Sequence, residues 1–242
     1  MALQGADTAF VLHSVPYKET SLIVELFCRE HGRLPVVAKG AKRPHSALRS
    51  VLVSFQPLQV RFSGRGEVKT LTHAEWLGGM LPPVDKALFS AYYLNELLMR
   101  GLSREDSHEG LFDVYSNTLA NLCQGVDVTV CVRTFEIELL RELGFGLDWE
   151  SDAQGQPISA ESDYVWFNER GWTPTNGLSV HEQQALVVEQ AVPGQVIVNA
   201  GQHGVGKTEA LALKPVTRKL LNAHVAPNGL LARNWMEQLL KS

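Results

Sequence analysis

Apolar positions come in short, strand-like runs over the first third of the chain and at helical spacing beyond it. Residues 8–13, 21–27, 34–39, 55–62 and 67–75 read as five short strands. Between the second and third, Glu30-His31-Gly32-Arg33 places glycine where a turn needs it. Residues 40–50 form a longer basic connection that Pro44 keeps out of any continuous strand. Five strands with one long connection after the third predict a small closed barrel of OB-fold type, and an SH3-like barrel fits nearly as well.

Gly78-Gly79 and Pro82-Pro83 break the pattern, and the period then becomes helical. Ala87, Leu88, Ala91, Leu94 and Leu98 mark one helix, with Asp85 as its candidate cap. Leu111, Tyr115, Leu119 and Leu122 mark a second; Val132, Phe135, Leu139 and Leu143 mark a third, stopped at Gly144. Packing these three stripes against each other predicts a helical bundle. Residues 147–178 are polar and turn-rich, with Tyr164 to Phe167 and Trp172 as hairpin aromatics. Ser179 and Glu182 form a capping box opening a helix that runs to Val192. Helices bent at Pro215 and interrupted at Pro227-Asn228-Gly229 follow, the last carrying Leu231, Trp235 and Leu239. The expected class is therefore α+β with three parts: an OB-fold barrel over residues 1–79, a helical domain over 80–146, and a mixed C-terminal region with helices over 147–242.

Composition fits a globular chain: 242 residues, 45% hydrophobic. The N-terminus lacks a basic stretch followed by an apolar one, and no run of 18 apolar residues occurs, so neither a signal peptide nor a membrane span is expected. Cys28, Cys123 and Cys131 lack zinc spacing and suit a reduced, cytoplasmic setting. Charge changes the picture more. The formal net charge is −4, yet residues 33–69 hold eight cations (Arg33, Lys39, Lys42, Arg43, Arg49, Arg61, Arg65 and Lys69) against Glu67 alone. Cations carried on a small sheet suggest a track for a phosphate backbone, although a charge run taken alone more often means a solvated edge.

Other motifs carry less. Residues 201–208 (Gly201, Gln202, His203, Gly204, Val205, Gly206, Lys207, Thr208) match the phosphate-binding pattern GxxxxGK[ST] and follow an apolar run at 195–198, as a P-loop follows its strand. Pro215 falls early in the helix that such a loop requires, and the preceding chain does not alternate strands and helices, so the match reads as a coincidence. His181-Glu182 begins like HExxH, but Ala185 stands where the second histidine must be. No nucleophile elbow or triad is evident, and neither catalysis nor a cofactor is expected. Late cations, Lys207, Lys214, Arg218, Lys219, Arg233 and Lys241, read either as a charged helix face or as a second polyanion or acidic-peptide site.

Residues 8–146 also resemble the RecO family of bacterial recombination mediators. The runs that carry the likeness are Ala9 to Ser14, Tyr17-Lys18-Glu19-Thr20-Ser21, His31-Gly32-Arg33, Val37 to Pro44, Ser46 to Arg49, Phe55 to Leu58 and Gly64 to Leu71. Tyr92 to Leu98, Arg133 to Glu136 and Leu143 to Gly146 join them. The resemblance implies a protein that binds single- and double-stranded DNA, anneals complementary strands and helps RecA displace the single-stranded-DNA-binding protein. It further implies a RecR partner, docking of the acidic tail of the single-stranded-DNA-binding protein, a nucleoid location and no bond chemistry. Some relatives carry a four-cysteine zinc module after the segment matching 143–146, and residues 147–172 here contain no cysteine. On this reading Arg33, Lys39, Lys42, Arg43, Arg49, Arg65 and Lys69 contact DNA, with 39–49 as a mobile loop. Phe55 and Phe62 are the segment's candidates for base stacking. Arg133, Lys214, Arg218 and Lys219 are the candidates for the peptide. The competing readings are a P-loop enzyme built on 201–208 and a pure protein-interaction scaffold.

Overall fold

A computed structural model describes residues 3–79, 81–182 and 191–232. The side chains of Leu3 and Gln4 and the remainder of the chain, including Trp235, Leu239, Arg233, Lys241 and Ala185, lie outside the described residues. Five strands, β1 (Leu3–Tyr17), β2 (Ser21–Cys28), β3 (Gly32–Ala38), β4 (Leu58–Gly64) and β5 (Lys69–Trp76), close into a barrel in the order β1-β2-β3-β5-β4. All neighbours are antiparallel except β3 and β5, where Val36 lies opposite Lys69. That parallel step, with β1 pairing to both β2 and β4, is the OB-fold topology and settles the choice that strand count left open. The first strand is longer than its apolar run because Leu3 to Ala9 pair with β4 before the strand passes on to β2.

The continuous apolar run at residues 9–12 has a structural cause. Ala9 and Val11 point into the barrel beside Val24, Leu26, Leu34, Val60 and Phe62. Phe10 points out, with Phe27, onto the rings of Phe112 and Tyr115 at centroid distances of 5.2–5.9 Å. Those rings belong to α3 (Glu109–Cys123), which packs with α2 (Asp85–Gly101). Buried Asn95 of α2 donates to the Leu12 carbonyl at 2.9 Å and accepts from the Tyr115 hydroxyl, linking α3, α2 and β1. Burial pushes the Tyr115 phenol well above its ordinary pKa. The first two helices thus bury their stripes against the barrel as well as each other, a partner that helical period cannot reveal. Asp85 does not cap: Val84 holds the cap position and no side chain bonds there.

The turn between β2 and β3 is fixed by a buried carboxylate. Asp7 accepts from the Glu30 and His31 amides at 2.9 and 3.1 Å and pairs with His31 Nδ1 at 2.8 Å. Gly32 there has φ +64°, and a Cβ would stand 1.8 Å from the Asp106 carbonyl oxygen. Gly32→Ala should therefore lower unfolding free energy by about 3 kcal/mol or more, from left-handed strain plus displaced backbone. Urea denaturation checks this; an unchanged midpoint would mean the turn is not so confined.

Two compact units exist, one comprising Met1–Val126 and taking the chain back from Gly229, the other Asp127–Asn228. In the first, Glu96 of α2 accepts from the Leu231 and Ala232 amides at 3.0 and 2.9 Å, so the returning chain is capped from another helix. The second unit holds α4 (Val128–Glu142), a hairpin of β6 (Asp163–Phe167) and β7 (Gly171–Pro174), β8 (Val192–Pro193), α5 (Gly194–His203), α6 (Lys207–Ala212) and α7 (Lys214–His224). The hairpin aromatics fall as expected, with Trp166 edge-on to Trp172 at 5.1 Å. Asp127 caps α4 through the Thr129 amide at 2.8 Å, and α4 packs on α6 and α7. Val192 is not helical; it pairs with Tyr164 of β6.

The capping box forms as read: Ser179 N–H and Oγ donate to Glu182, and the Glu182 amide donates back to Ser179 Oγ. Those two bonds, then Arg170, hold the Glu182 carboxyl at about 2. The folded value lies below the unfolded glutamate value of about 4.3. Any stability the box provides is therefore complete above that pH and is lost as pH falls through the folded value. A carbon-detected titration of Glu182 should give a midpoint near 2 that rises in Arg170→Ala; a midpoint in the ordinary glutamate range would dismiss the box.

Candidate nucleic-acid interface

The basic connection after β3 is hydrogen-bonded to a neighbouring turn and within itself. Lys42 N–H donates to the Thr20 carbonyl at 2.9 Å, joining this segment to the β1–β2 turn. Arg43 and Ser46 amides close successive turns onto Gly40 and Arg43, at 3.0 and 3.1 Å. A short helix, α1 (Ala47–Val51), follows. Leu48 and Val51 pack on the barrel core, while Ala41 and Leu52 are buried in it. Apolar anchors at 41, 48, 51 and 52 turn the remaining side chains outward. Lys39, Lys42, Arg43 and Arg49 are all exposed, and Lys39, Gly40, Arg43, Pro44, His45 and Ser46 line a cleft of about 510 Å³. Four exposed cations in eleven residues, with no acid among them, make this a strongly electropositive surface.

The other sequence-selected cations are placed differently. Arg65 is exposed on the β4–β5 turn. Lys69 is 4% exposed, and its ammonium donates to the Gly66 carbonyl at 2.8 Å and to Glu105 at 2.6 Å. Arg33 lies 3.1 Å from buried Glu25, which also takes Arg104 at 3.2 Å, and donates to the Met99 carbonyl. Burial, then the neighbouring Arg104 charge, lowers the Arg33 pKa against the opposing pull of Glu25. Arg33 and Lys69 are thus each committed to a carboxylate, Glu25 and Glu105, in two separate ion pairs. Phe55 and Phe62 are core: Phe55 is 3% exposed against Tyr92, and Phe62 is wholly buried against His31.

Residues 201–208 do not form a phosphate loop. The run at 195–198 is helical, in α5, so no strand feeds the motif. Its glycines have other work: a Cβ on Gly201 would stand 2.7 Å from Trp149 Cβ, and Gly204 ends α5 at φ +79°. Lys207 pairs with Asp127 at 3.3 Å, and α6 is only six residues long.

Of the four cations expected to meet the peptide, Arg133 is buried. Its guanidinium donates to the Ala210 carbonyl at 3.0 Å and contacts Glu136 and Thr217, joining α4 to α6 and α7. Lys214 and Arg218 are exposed one turn apart on α7. Lys219 donates to the Trp166 carbonyl at 3.1 Å and lies 5.5 Å from the Phe167 ring centroid. Among the described residues no group of three or more His, Cys, Asp or Glu side chains could hold a metal ion. Nor is any described helix long and apolar enough to cross a membrane.

Two family models match the chain: Recombination protein O N terminal over residues 1–80, and Recombination protein O C terminal over residues 86–233. The DNA repair protein RecO of Aromatoleum aromaticum is 43% identical over 234 residues, 96% of this chain and 94% of that protein. The protein of the same name from Azoarcus sp. is 40% identical over 237 residues, 97% of this chain and 96% of its own. That of Ralstonia nicotianae is 56% identical over 163 residues, and the matched part spans 67% of this chain and 60% of the relative.

Proposed function

This chain belongs to the RecO family, and on that footing we propose that it is a DNA repair and recombination mediator acting by binding alone. It grips single- and double-stranded DNA through the sugar–phosphate chain, anneals complementary strands and assists RecA onto DNA coated by single-stranded-DNA-binding protein. The observation that carries this reading is the cationic segment stapled to the barrel: Lys39, Lys42, Arg43 and Arg49 exposed, with Arg65 on a second turn. Annealing brings two polyanions together, and a fixed row of cations lowers that repulsion without a covalent step. On this reading Arg33 and Lys69, already paired with Glu25 and Glu105, leave phosphate contact to the exposed residues.

The partners in this reading are RecR and the acidic, apolar tail of the single-stranded-DNA-binding protein. Lys214 and Arg218, exposed on α7, with neighbouring Lys219, are the cations this reading assigns to that tail's carboxylates. Arg133 positions α7 rather than meeting the peptide, because its guanidinium is enclosed. The deciding experiment follows annealing of two complementary labelled oligonucleotides by the full chain, without nucleotide, across a salt series. Acceleration that fades as salt rises is expected. No acceleration even at low salt would remove the mediator reading.

A further inference from the structure

The cationic segment supplies phosphate contacts, yet neither of its own aromatics is available to a base. An exposed ring stands beside it on another element. The pairing of β1 with β2 shifts register between Val11 and His13, and beyond that bulge the two strands continue to the turn at residues 18–20 with residues 13–19 all exposed. At its end Tyr17 is 36% exposed, a ring with no place in the barrel core. Lys18 takes a left-handed φ of +52° and sets its ammonium 5.3 Å from the Tyr17 ring centroid. The same turn is the anchor of the basic segment, through the Thr20 carbonyl and the Lys42 amide. Trp76 is more exposed, but its strand end is tied to Leu58 and Pro57, not to this anchor.

We propose that Tyr17 and Lys18 form a base-stacking platform continuous with the Lys39–Arg49 phosphate track, which gives the site a preference for single-stranded DNA. An exposed ring accepts any base on its π face, while the adjoining ammonium meets the next phosphate. A duplex keeps its bases stacked on each other and gains only the phosphate contacts. The β1–β2 turn of an OB-fold is a usual place for oligonucleotide contact, and here a backbone hydrogen bond fixes it against the cationic segment. The platform presupposes that the barrel binds DNA.

The test is fluorescence anisotropy of the full chain with labelled oligo(dT) and with a duplex of equal length, for wild type, Tyr17→Ala, Tyr17→Leu, Tyr17→Phe and Lys42→Ala/Arg43→Ala. Tyr17→Ala and Tyr17→Leu should each bind oligo(dT) about tenfold more weakly, with the salt slope and duplex affinity unchanged. Tyr17→Phe, which keeps the ring, should match wild type. Oligo(dT) binding untouched by Tyr17→Ala, or equal losses for both nucleic acids, would overturn the platform while leaving the phosphate track intact. Wild type binding neither nucleic acid would overturn both. The Lys42/Arg43 variant weakening both probes identifies the track independently.

Discussion

Replacing Lys39, Lys42 and Arg43 together with alanine should flatten the salt dependence of oligonucleotide binding and weaken it most at low salt. Each phosphate contact on a single strand contributes about 0.7 to the slope of log affinity against log salt, so three lost contacts lower it by about 2. At about 50 mM salt the affinity loss should be on the order of 100-fold, shrinking as salt rises. The three side chains are exposed, so unfolding free energy should move by no more than about 0.5 kcal/mol. Lys69→Met provides the contrast: it removes a buried ammonium that serves Gly66 and Glu105, and should lower stability while leaving the salt slope alone. Titrations of a labelled strand at several salt concentrations read both effects. A triple variant with wild-type slope would place the phosphate contacts elsewhere.

Arg133→Met should destabilise the unit of residues 127–228 by about 3–5 kcal/mol, because it leaves Glu136 buried and without its cation. Thr217 still donates to Glu136 at 2.7 Å, but a neutral donor does not replace the guanidinium charge beside a desolvated carboxylate. Arg133→Met with Glu136→Leu should recover most of the loss, since a well-packed apolar pair of similar volume can replace a buried ion pair at little cost. Urea unfolding of both variants separates removal of one partner from removal of both. If Arg133→Met unfolded like wild type, the guanidinium would have to be solvated and open to a peptide after all.

The sequence alone located the five barrel strands, the three helices between residues 85 and 142 and the capping box, though not α1 or α5, because period and cap chemistry act within a few residues of the chain. It also showed where positive charge is concentrated. What the tertiary structure decided is which charges remain free. Arg33 and Lys69 look no different in sequence from Lys42 and Arg43. Their partners Glu25, Met99 and Glu105 come from another strand and from residues 36 to 66 positions further along. Arg133 is likewise enclosed by Ala210 and Thr217, more than 70 positions away. The phosphate-loop pattern fails for a related reason: its glycines match the motif locally, but α5 stands where the motif needs a strand. Tyr17 lay outside the basic stretch in sequence, and only the hydrogen bond from Lys42 to Thr20 brings its turn to that stretch. Charge is a property of a residue, whereas availability depends on what the fold packs around it.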